Sequence, residues 1–169
     1  MKKQCVQYYD SPLGRILLAG EEEELTGLWF QDQKHYASSL EEGYEERDLP
    51  VLDETKRWLD LYFRGSVIKK RPAIRLKGTA FQIRVWEELL KIGPGQTLSY
   101  KELGERIYGG RPFSAQAIGM AVGRNPISII VPCHRVLGAD GSLRGYAGGL
   151  DRKRWLLDME KMVKENEEG

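Results

Sequence analysis

The most informative part of the sequence for chemistry is Asn125-Pro126-Ile127-Ser128-Ile129-Ile130-Val131-Pro132-Cys133-His134-Arg135-Val136. Its apolar run, residues 127–131, predicts a short buried strand that ends at Pro132. A cysteine that directly follows a buried strand is held rigidly, while its sulfur can face a cleft. We therefore expect this stretch to present Cys133 and His134 at the end of a strand.

A thiol beside an imidazole is a candidate nucleophile with its base, because the thiolate is the reactive form of cysteine. The sequence predicts a helix from Asp151 onwards, and Met162 is among the residues expected to face inward on it. Glu160 lies on the same helix. From there a carboxylate could orient the imidazole, as the third member of a catalytic triad does. Two structural interpretations stay open: Cys133 as a buried core cysteine beside a chance histidine, and Glu160 on a solvated flank.

Upstream of this stretch, the chain changes from strand patterns to helix patterns. Short β-favouring runs at 6–9, 15–19 and 25–30 predict an antiparallel meander, which a helix follows. After Gly78, capping boxes that begin at Thr79 and Ser99 predict helices. The sequence therefore predicts an α/β (α+β) chain with two domains, 1–78 and 79–169.

The second predicted domain contains two short helices joined by a glycine-containing turn, which indicates a helix-turn-helix. Small residues dominate the second helix, 114–123, and Arg124 closes it. Small side chains suit either tight packing inside the domain or close approach to a nucleic-acid groove. Residues 103–154 contain eight basic and three acidic residues, a net charge of +5 that is compatible with a polyanionic partner.

Composition excludes several classes of protein. The chain has 169 residues, of which 41% are hydrophobic and 30% charged, as in ordinary globular proteins. No apolar run approaches the roughly 18 residues of a membrane span, and the first residues do not resemble a secretory signal. Two cysteines exclude a disulfide framework and a Cys-rich zinc module. We expect a cytoplasmic protein.

The sequence from 125 to 136 closely resembles the active-site signature of the O6-alkylguanine-DNA alkyltransferases, also called methylated-DNA–protein-cysteine methyltransferases. The resemblance extends over essentially the whole chain. Its further motifs are Tyr62-Phe63-Arg64-Gly65, Gly78-Thr79-Ala80-Phe81-Gln82, Val85-Trp86, Leu98-Ser99-Tyr100, Gly145-Tyr146-Ala147-Gly148-Gly149-Leu150, Trp155-Leu156-Leu157 and Glu160.

This resemblance implies an RNase-H-like N-terminal domain, with an antiparallel sheet and a helix, and a winged-helix-like C-terminal domain. It also implies that the helix-turn-helix binds double-stranded DNA in the minor groove, and that the alkylated guanine is flipped into a pocket beside the cysteine. Alkyl transfer to that cysteine would leave a stable thioether, so each molecule would react once. No cofactor is implied, and we expect a monomer.

The family's functional residues fall on matching positions of this chain. The resemblance implies that Cys133 accepts the alkyl group, His134 takes the thiol proton through a water, Glu160 holds His134, and Tyr100 donates to guanine N3. The residues implied to bind the substrate are Asn125, which braces the turn, and Val136, Tyr146, Ala147 and Gly148. The residues implied to bind DNA are Ser114, Ala115, Gln116, Ala117, Gly119 and Arg124.

One position of this chain departs from the family pattern, and one feature of some family members is not expected here. Gln116 stands where the family usually has an arginine that enters the duplex, so we expect retained transfer with weaker DNA binding or slower flipping. Some members carry zinc in the N-terminal domain, but here Cys5 and His35 are the only available ligands of those types. We therefore expect no metal.

Three other functions stay open at this point. A non-catalytic damage-binding relative would have the same fold, although such proteins generally lack the cysteine. A cysteine hydrolase would turn over repeatedly on an acyl substrate. A DNA-binding regulator would use the helix-turn-helix alone. The range of alkyl groups and activity on O4-alkylthymine are not determined by the sequence.

Overall fold

The structure is a computed structural model that describes residues 3–168. It divides the chain into two compact units, Met1–Lys77 with Pro126–Ser128, and Gly78–Asn125 with Ile129–Gly169. The boundary lies one residue from the predicted one. The segment Pro126–Ser128, which the sequence places in the second domain, belongs to the first unit.

The first unit is a four-stranded sheet with one helix. Its strands are β1 (Cys5–Ser11), β2 (Gly14–Glu21), β3 (Glu24–Phe30) and the two-residue β4 (Glu45–Glu46), in the order β3-β2-β1-β4. The predicted antiparallel meander is observed for β1 to β3, and β4 adds a parallel edge to β1.

The helix α1 (Pro50–Phe63) contacts β1, β2 and β3. The contact is close at Gly20, where an added Cβ would lie 3.1 Å from Val51 and 3.2 Å from Leu52. Glycine at this position therefore lets the helix approach the sheet.

The second unit is mainly helical. Its elements are α2 (Ala80–Leu89), β5 (Leu98–Ser99), α3 (Tyr100–Tyr108), α4 (Ala115–Gly123), a 3₁₀ turn (Cys133–Arg135), β6 (Val136–Leu137) and α5 (Leu150–Glu168). The predicted capping boxes at Thr79 and Ser99 are both formed, and β5 pairs with β6 in parallel. The mixed α/β class predicted from the sequence is therefore observed.

The helices α3 and α4 form the predicted helix-turn-helix. Gly109 ends α3 in the left-handed conformation, at φ 58°, and the Ser114 hydroxyl caps α4 by accepting from the Ala117 N–H at 3.1 Å. The Trp86 indole donates to the Ala121 carbonyl at 2.8 Å and so ties α2 to α4. The polar cap and the buried tryptophan fix the orientation of α4 within this unit.

The predicted strand at 127–131 is not formed. These residues are buried, but only Ile127 makes a bridge, to Leu28 of β3, and Ile129 has φ 71°. A β-branched residue in the left-handed region is incompatible with an extended strand. The apolar run is instead a buried turn whose first residues complete the edge of the first unit's sheet.

Candidate active site

Cys133 begins the 3₁₀ turn directly after Pro132 and is buried. Burial raises the pKa of its thiol. A hydrogen bond with the Asn125 side chain, the charge of Lys153, and the N–H groups of Cys133 and His134 act in the opposite direction, lowering that pKa. Because burial outweighs them, the resting group is a thiol that needs a base to become a nucleophile.

Asn125 braces the buried turn that leads to Cys133. Its side chain is buried, and its Nδ2 donates to the Val131 carbonyl across the turn at 2.7 Å. The same side chain hydrogen-bonds to Cys133. One amide therefore stabilises both the irregular backbone around Ile129 and the position of the sulfur.

His134, Glu160 and Arg135 form a buried network. The His134 Nε2 lies 2.7 Å from Glu160 Oε2, and Arg135 donates to both carboxylate oxygens, from Nε and from Nη2, at 2.8 Å each. His134 is fully buried and Glu160 is 1% exposed. The interpretation of Glu160 as a solvated flank residue is wrong, since the carboxylate lies on the inward face of α5.

The charges of this network fix which nitrogen of His134 carries the proton. Burial alone would raise the pKa of Glu160, but His134 and Arg135 outweigh it and hold that pKa below its usual range. Burial lowers the pKa of His134, and Arg135 adds to this effect against the opposing influence of Glu160. A neutral imidazole beside an ionised carboxylate donates from Nε2, so Nδ1 is the acceptor.

The acceptor nitrogen of His134 is also the one available to a proton donor. Nδ1 is buried and has no hydrogen-bond partner among the side chains that the structure describes. Since the Glu160 carboxylate engages the opposite edge of the ring, Nδ1 is directed away from the ion pair. This arrangement is that of a general base oriented by a carboxylate.

Lys153 is a buried residue of this site that sequence reasoning missed. Its side chain is fully buried, and Nζ donates to the carbonyls of Val136, Arg144 and Gly145 at 2.6, 2.7 and 3.2 Å. Burial lowers its pKa to about 8, while Cys133 acts to raise it. Its spacing from Leu156 and Glu160, three and seven residues, places it on the inward face of α5 and was the available signal.

The same helix face explains a wrong prediction. Met162 was expected to point inward, but its side chain is 63% exposed. The inward face is set by Lys153, Leu156 and Glu160, and Met162 lies two residues after Glu160, about 200° around the helix.

Tyr100 begins α3 and lies near the loop before α5. Its hydroxyl donates to the Arg144 carbonyl at 3.1 Å. Burial raises its pKa, and Cys133 adds to this shift, so the phenol stays protonated at neutral pH. The Tyr146 ring meets the His134 ring edge-on, with centroids 6.4 Å apart.

The remaining predicted substrate-binding residues lie in the same loop region. The Val136 carbonyl accepts from Lys153, and the Gly148 carbonyl accepts from Arg152 at 3.1 Å. Ala147, which precedes Gly148, is half-buried. Lys153 therefore contacts Val136 directly and binds the loop at Arg144 and Gly145, just before Tyr146.

The residues predicted to bind DNA lie on and around α4. Ser114, Ala115, Gln116 and Arg124 are exposed, and Ala117 and Gly119 are half-buried. A cleft of about 330 Å³ is lined by Tyr100, Lys101, Ala115, Gln116, Gly119, Gly138, Ala139 and Arg144. Cys133 is buried and does not line the cleft, which lies between Tyr100, the exposed face of α4 and the segment from Gly138 to Arg144.

Comparison with known families accounts for both halves of the chain. Residues 80–162 match the DNA binding domain of 6-O-methylguanine DNA methyltransferase, and residues 5–71 match its ribonuclease-like domain. The chain belongs to this family. The family resemblance and the ribonuclease-like character of the N-terminal domain, both expected from the sequence, are confirmed.

Individual members of the family are similar over most of their length. The chain is 46% identical over 152 residues to the methylated-DNA–protein-cysteine methyltransferase of Mycobacterium leprae, covering 90% of this chain and 89% of that protein. The Haemophilus influenzae protein of the same name is 39% identical, covering 92% and 85%. The structure of Mycobacterium tuberculosis OGT in complex with DNA has a TM-score of 0.84 and 42% identity, covering 94% of both chains.

Two expected absences concern metals and membranes. Among the described residues, no group of three or more His, Cys, Asp or Glu side chains could hold a metal ion. The absence of a family zinc site stays a prediction. Within the same part of the chain, no helix has the length and apolar character needed to cross a membrane.

Proposed function

We propose that this chain repairs duplex DNA by transferring the alkyl group of O6-alkylguanine to Cys133 in a single, irreversible turnover. Family membership supports this reaction, and the relatives named above carry the corresponding activity in their names. Within the site, the proposal rests on one arrangement of buried residues. Cys133 is followed by His134, and the His134 ring contacts the Glu160 carboxylate, which is also paired with Arg135.

The first step makes the nucleophile. Because burial raises the pKa of Cys133, the thiol must lose its proton as the reaction begins. His134 Nδ1 takes that proton through a water, and the ionised Glu160 stabilises the resulting imidazolium. Lys153 and the Asn125 amide stabilise the thiolate that forms.

The second step transfers the alkyl group. The Cys133 sulfur attacks the alkyl carbon, an S–C bond forms, and the C–O6 bond breaks with its electron pair moving into the purine. Tyr100 donates its hydroxyl hydrogen bond to guanine N3 as this charge develops, after exchanging its present acceptor, the Arg144 carbonyl. The products are a thioether and the guanine anion, which becomes unmodified guanine by taking up one proton from water, while His134 returns to water the proton that it took from the thiol; no cofactor takes part.

Recognition of the flipped guanine rests on backbone groups near Lys153. We propose that the carbonyls of Cys133 and Val136 and the N–H of Ala147 bind the guanine edge, and that Tyr146 and Gly148 shape the pocket. A carbonyl oxygen has two lone pairs. The Val136 carbonyl accepts from Lys153 with one of them, so the other can accept a hydrogen bond from guanine. We also propose that the chain acts as a monomer in the cytoplasm, where its substrate is accessible.

The test is mass spectrometry after mixing the protein with equimolar duplex DNA that carries one O6-methylguanine. The tryptic peptide of residues 125–135 contains Cys133 as its only cysteine. We expect it to gain one methyl group in place of one hydrogen, with the reaction stopping at one group per molecule. Tight binding with no mass change would favour the damage-binding alternative, and repeated turnover would favour a hydrolase.

Gln116→Arg is expected to tighten binding to duplex DNA about three- to tenfold at low salt, because it adds one cation on the exposed face of α4. The salt dependence of binding should steepen by about one phosphate contact. Gln31→Arg is the matched control, since it adds the same charge at an exposed position of the first unit. If Gln116→Arg binds no better at matched salt, either this position does not enter the duplex or charge is unimportant there.

Lys153→Met should slow alkyl transfer about tenfold at pH 7. The positive charge of Lys153 lowers the pKa of Cys133, so removing it raises that pKa and makes the thiolate harder to form. The pKa of Lys153 is about 8, so its charge is present below this pH and is lost as the pH rises through it. The ratio of wild-type to variant rate should therefore be largest below pH 8 and should shrink above it.

The measurement for Lys153→Met is the single-turnover rate from pH 6.5 to 9.5, with thermal unfolding recorded for each protein. Lys161→Met, at an exposed position of the same helix, is the control for loss of a lysine. A ratio that does not change with pH would show that Lys153 acts through the loop backbone rather than through its charge.

A further inference from the structure

An exposed methionine on α4 is not accounted for by the residue roles above. The Met120 side chain is 64% exposed, although α4 otherwise consists of small residues, Gln116, and the apolar residues Ile118 and Val122 that are buried. Contact with a binding partner would remove this apolar side chain from water, which is favourable. Packing within the second unit does not explain this side chain.

Met120 and Gln116 lie on the same face of α4. They are four residues apart, so their side chains are neighbours about 6 Å apart along the helix axis. Ile118 lies between them in sequence, about 200° around the helix from Gln116, and is fully buried. The face opposite the core therefore presents one amide and one flexible thioether.

The side chains around this face are basic, so they suit a polyanionic partner better than an apolar protein surface. Arg124 is exposed at the end of α4, and Lys101 and Arg144 line the cleft beside Gln116. Gly119 lies between Gln116 and Met120, and a Cβ there would be 3.9 Å from the Tyr100 ring. A nucleic acid that contacts this face is therefore brought next to Tyr100.

We propose that Met120 is a wedge that enters the minor groove of the damaged duplex beside Gln116 and holds the base stack open while the guanine is flipped. This inference rests on the proposed function. A spacing of about 6 Å places Met120 within two base-pair steps of Gln116, since one step rises 3.4 Å. Minor-groove proteins use apolar side chains, methionine among them, to unstack base steps. An uncharged Gln116 hydrogen-bonds to the orphaned base, and Met120 supplies the apolar contact.

The test compares three substrates in single-turnover assays of Cys133 alkylation. They are O6-methylguanine in duplex DNA, the same strand without its complement, and free O6-benzylguanine, which requires neither a groove nor flipping. We expect Met120→Ala to slow the reaction with duplex DNA about tenfold, and to change the other two rates less than twofold. Met120→Leu should restore most of the duplex rate, because a wedge needs an apolar side chain of this size.

Met162→Ala is the matched control, since that methionine is equally exposed, at 63%, but lies on α5. It should leave all three rates unchanged. A duplex rate of Met120→Ala within twofold of wild type overturns the proposal, as does an equal loss with all three substrates. If wild-type protein reacts with none of the substrates, the proposed function fails first, and the role of Met120 fails with it.

Discussion

Cys133→Ser is expected to abolish alkyl transfer while leaving duplex DNA binding within about threefold of wild type. A serine hydroxyl has a far higher pKa than a thiol and is a poor nucleophile without a stronger base than His134. The side chain is nearly the same size, and it sits in a buried turn that Asn125 braces from both sides. We therefore expect the loss to exceed about a thousandfold, with the peptide of residues 125–135 unmodified after prolonged incubation.

The matched control is Cys5→Ser, which changes the chain's other cysteine. Cys5 is also buried, but it lies in β1 of the first unit. This variant should lose some stability and still accept one alkyl group per folded molecule. Alkylation of Cys133→Ser at another site, or loss of transfer in Cys5→Ser with the fold intact, would contradict the role of Cys133 as sole acceptor.

Glu160→Gln is expected to lower the free energy of unfolding by about 3 kcal/mol, because removing one partner of a buried ion pair leaves the other charge uncompensated. The Arg135 guanidinium makes two hydrogen bonds to this carboxylate, and a glutamine presents an N–H₂ group to one of those donors. We also expect transfer to slow by at least roughly a hundredfold, since His134 loses the anion that orients it and stabilises its protonated form.

Urea unfolding and single-turnover kinetics at pH 7 measure these two effects. Asp158→Asn is the control, because it removes a carboxylate from an exposed position of the same helix. It should change stability by less than about 0.5 kcal/mol and leave the rate unchanged. A Glu160→Gln protein as stable and as fast as wild type would show that Arg135 and His134 do not depend on the charge.

The pH dependence of His134 follows from the same burial. Its pKa is lowered in the folded protein, so the unfolded chain takes up a proton first as the pH falls below about 6.5. Stability that comes from the neutral imidazole is therefore present above that pH and is lost as the pH falls. Glu160, with a lowered pKa, adds stability that is lost only at much lower pH.

Features with a local physical cause were predicted accurately. The capping boxes at Thr79 and Ser99 depend on side chains three residues apart, and both are formed. The β1–β3 meander depends on short β-favouring runs separated by turns, and its strands pair as predicted. The candidate catalytic residues came from the Pro132-Cys133-His134-Arg135 motif and the family resemblance, and the structure brings His134 and Glu160 together.

Features that depend on distant neighbours were missed or predicted wrongly. The run 127–131 has strand composition, but only Ile127 and Ser128 contact β3, through the bridge at Leu28 and the hydrogen bond of Ser128 N–H to the Leu28 carbonyl. The remaining residues form a turn, across which Asn125 donates to the Val131 carbonyl. Met162 was placed on the inward face because apolar residues usually are. That face is occupied by Lys153 and Glu160, whose polar atoms are satisfied by a loop and by Arg135.

Local patterns in the sequence predicted the fold class and the helix-turn-helix, because capping boxes and strand runs act within a few residues of the backbone. The Pro132-Cys133-His134-Arg135 motif and the family resemblance singled out Cys133 and His134 as the candidate nucleophile and base. The burial of Lys153 against loop carbonyls near Cys133, and the exposure of Met120 on the Gln116 face of α4, were visible only in the structure. Burial of a charge and exposure of an apolar side chain both oppose the residue's own preference, so they are set by which distant groups pack against it.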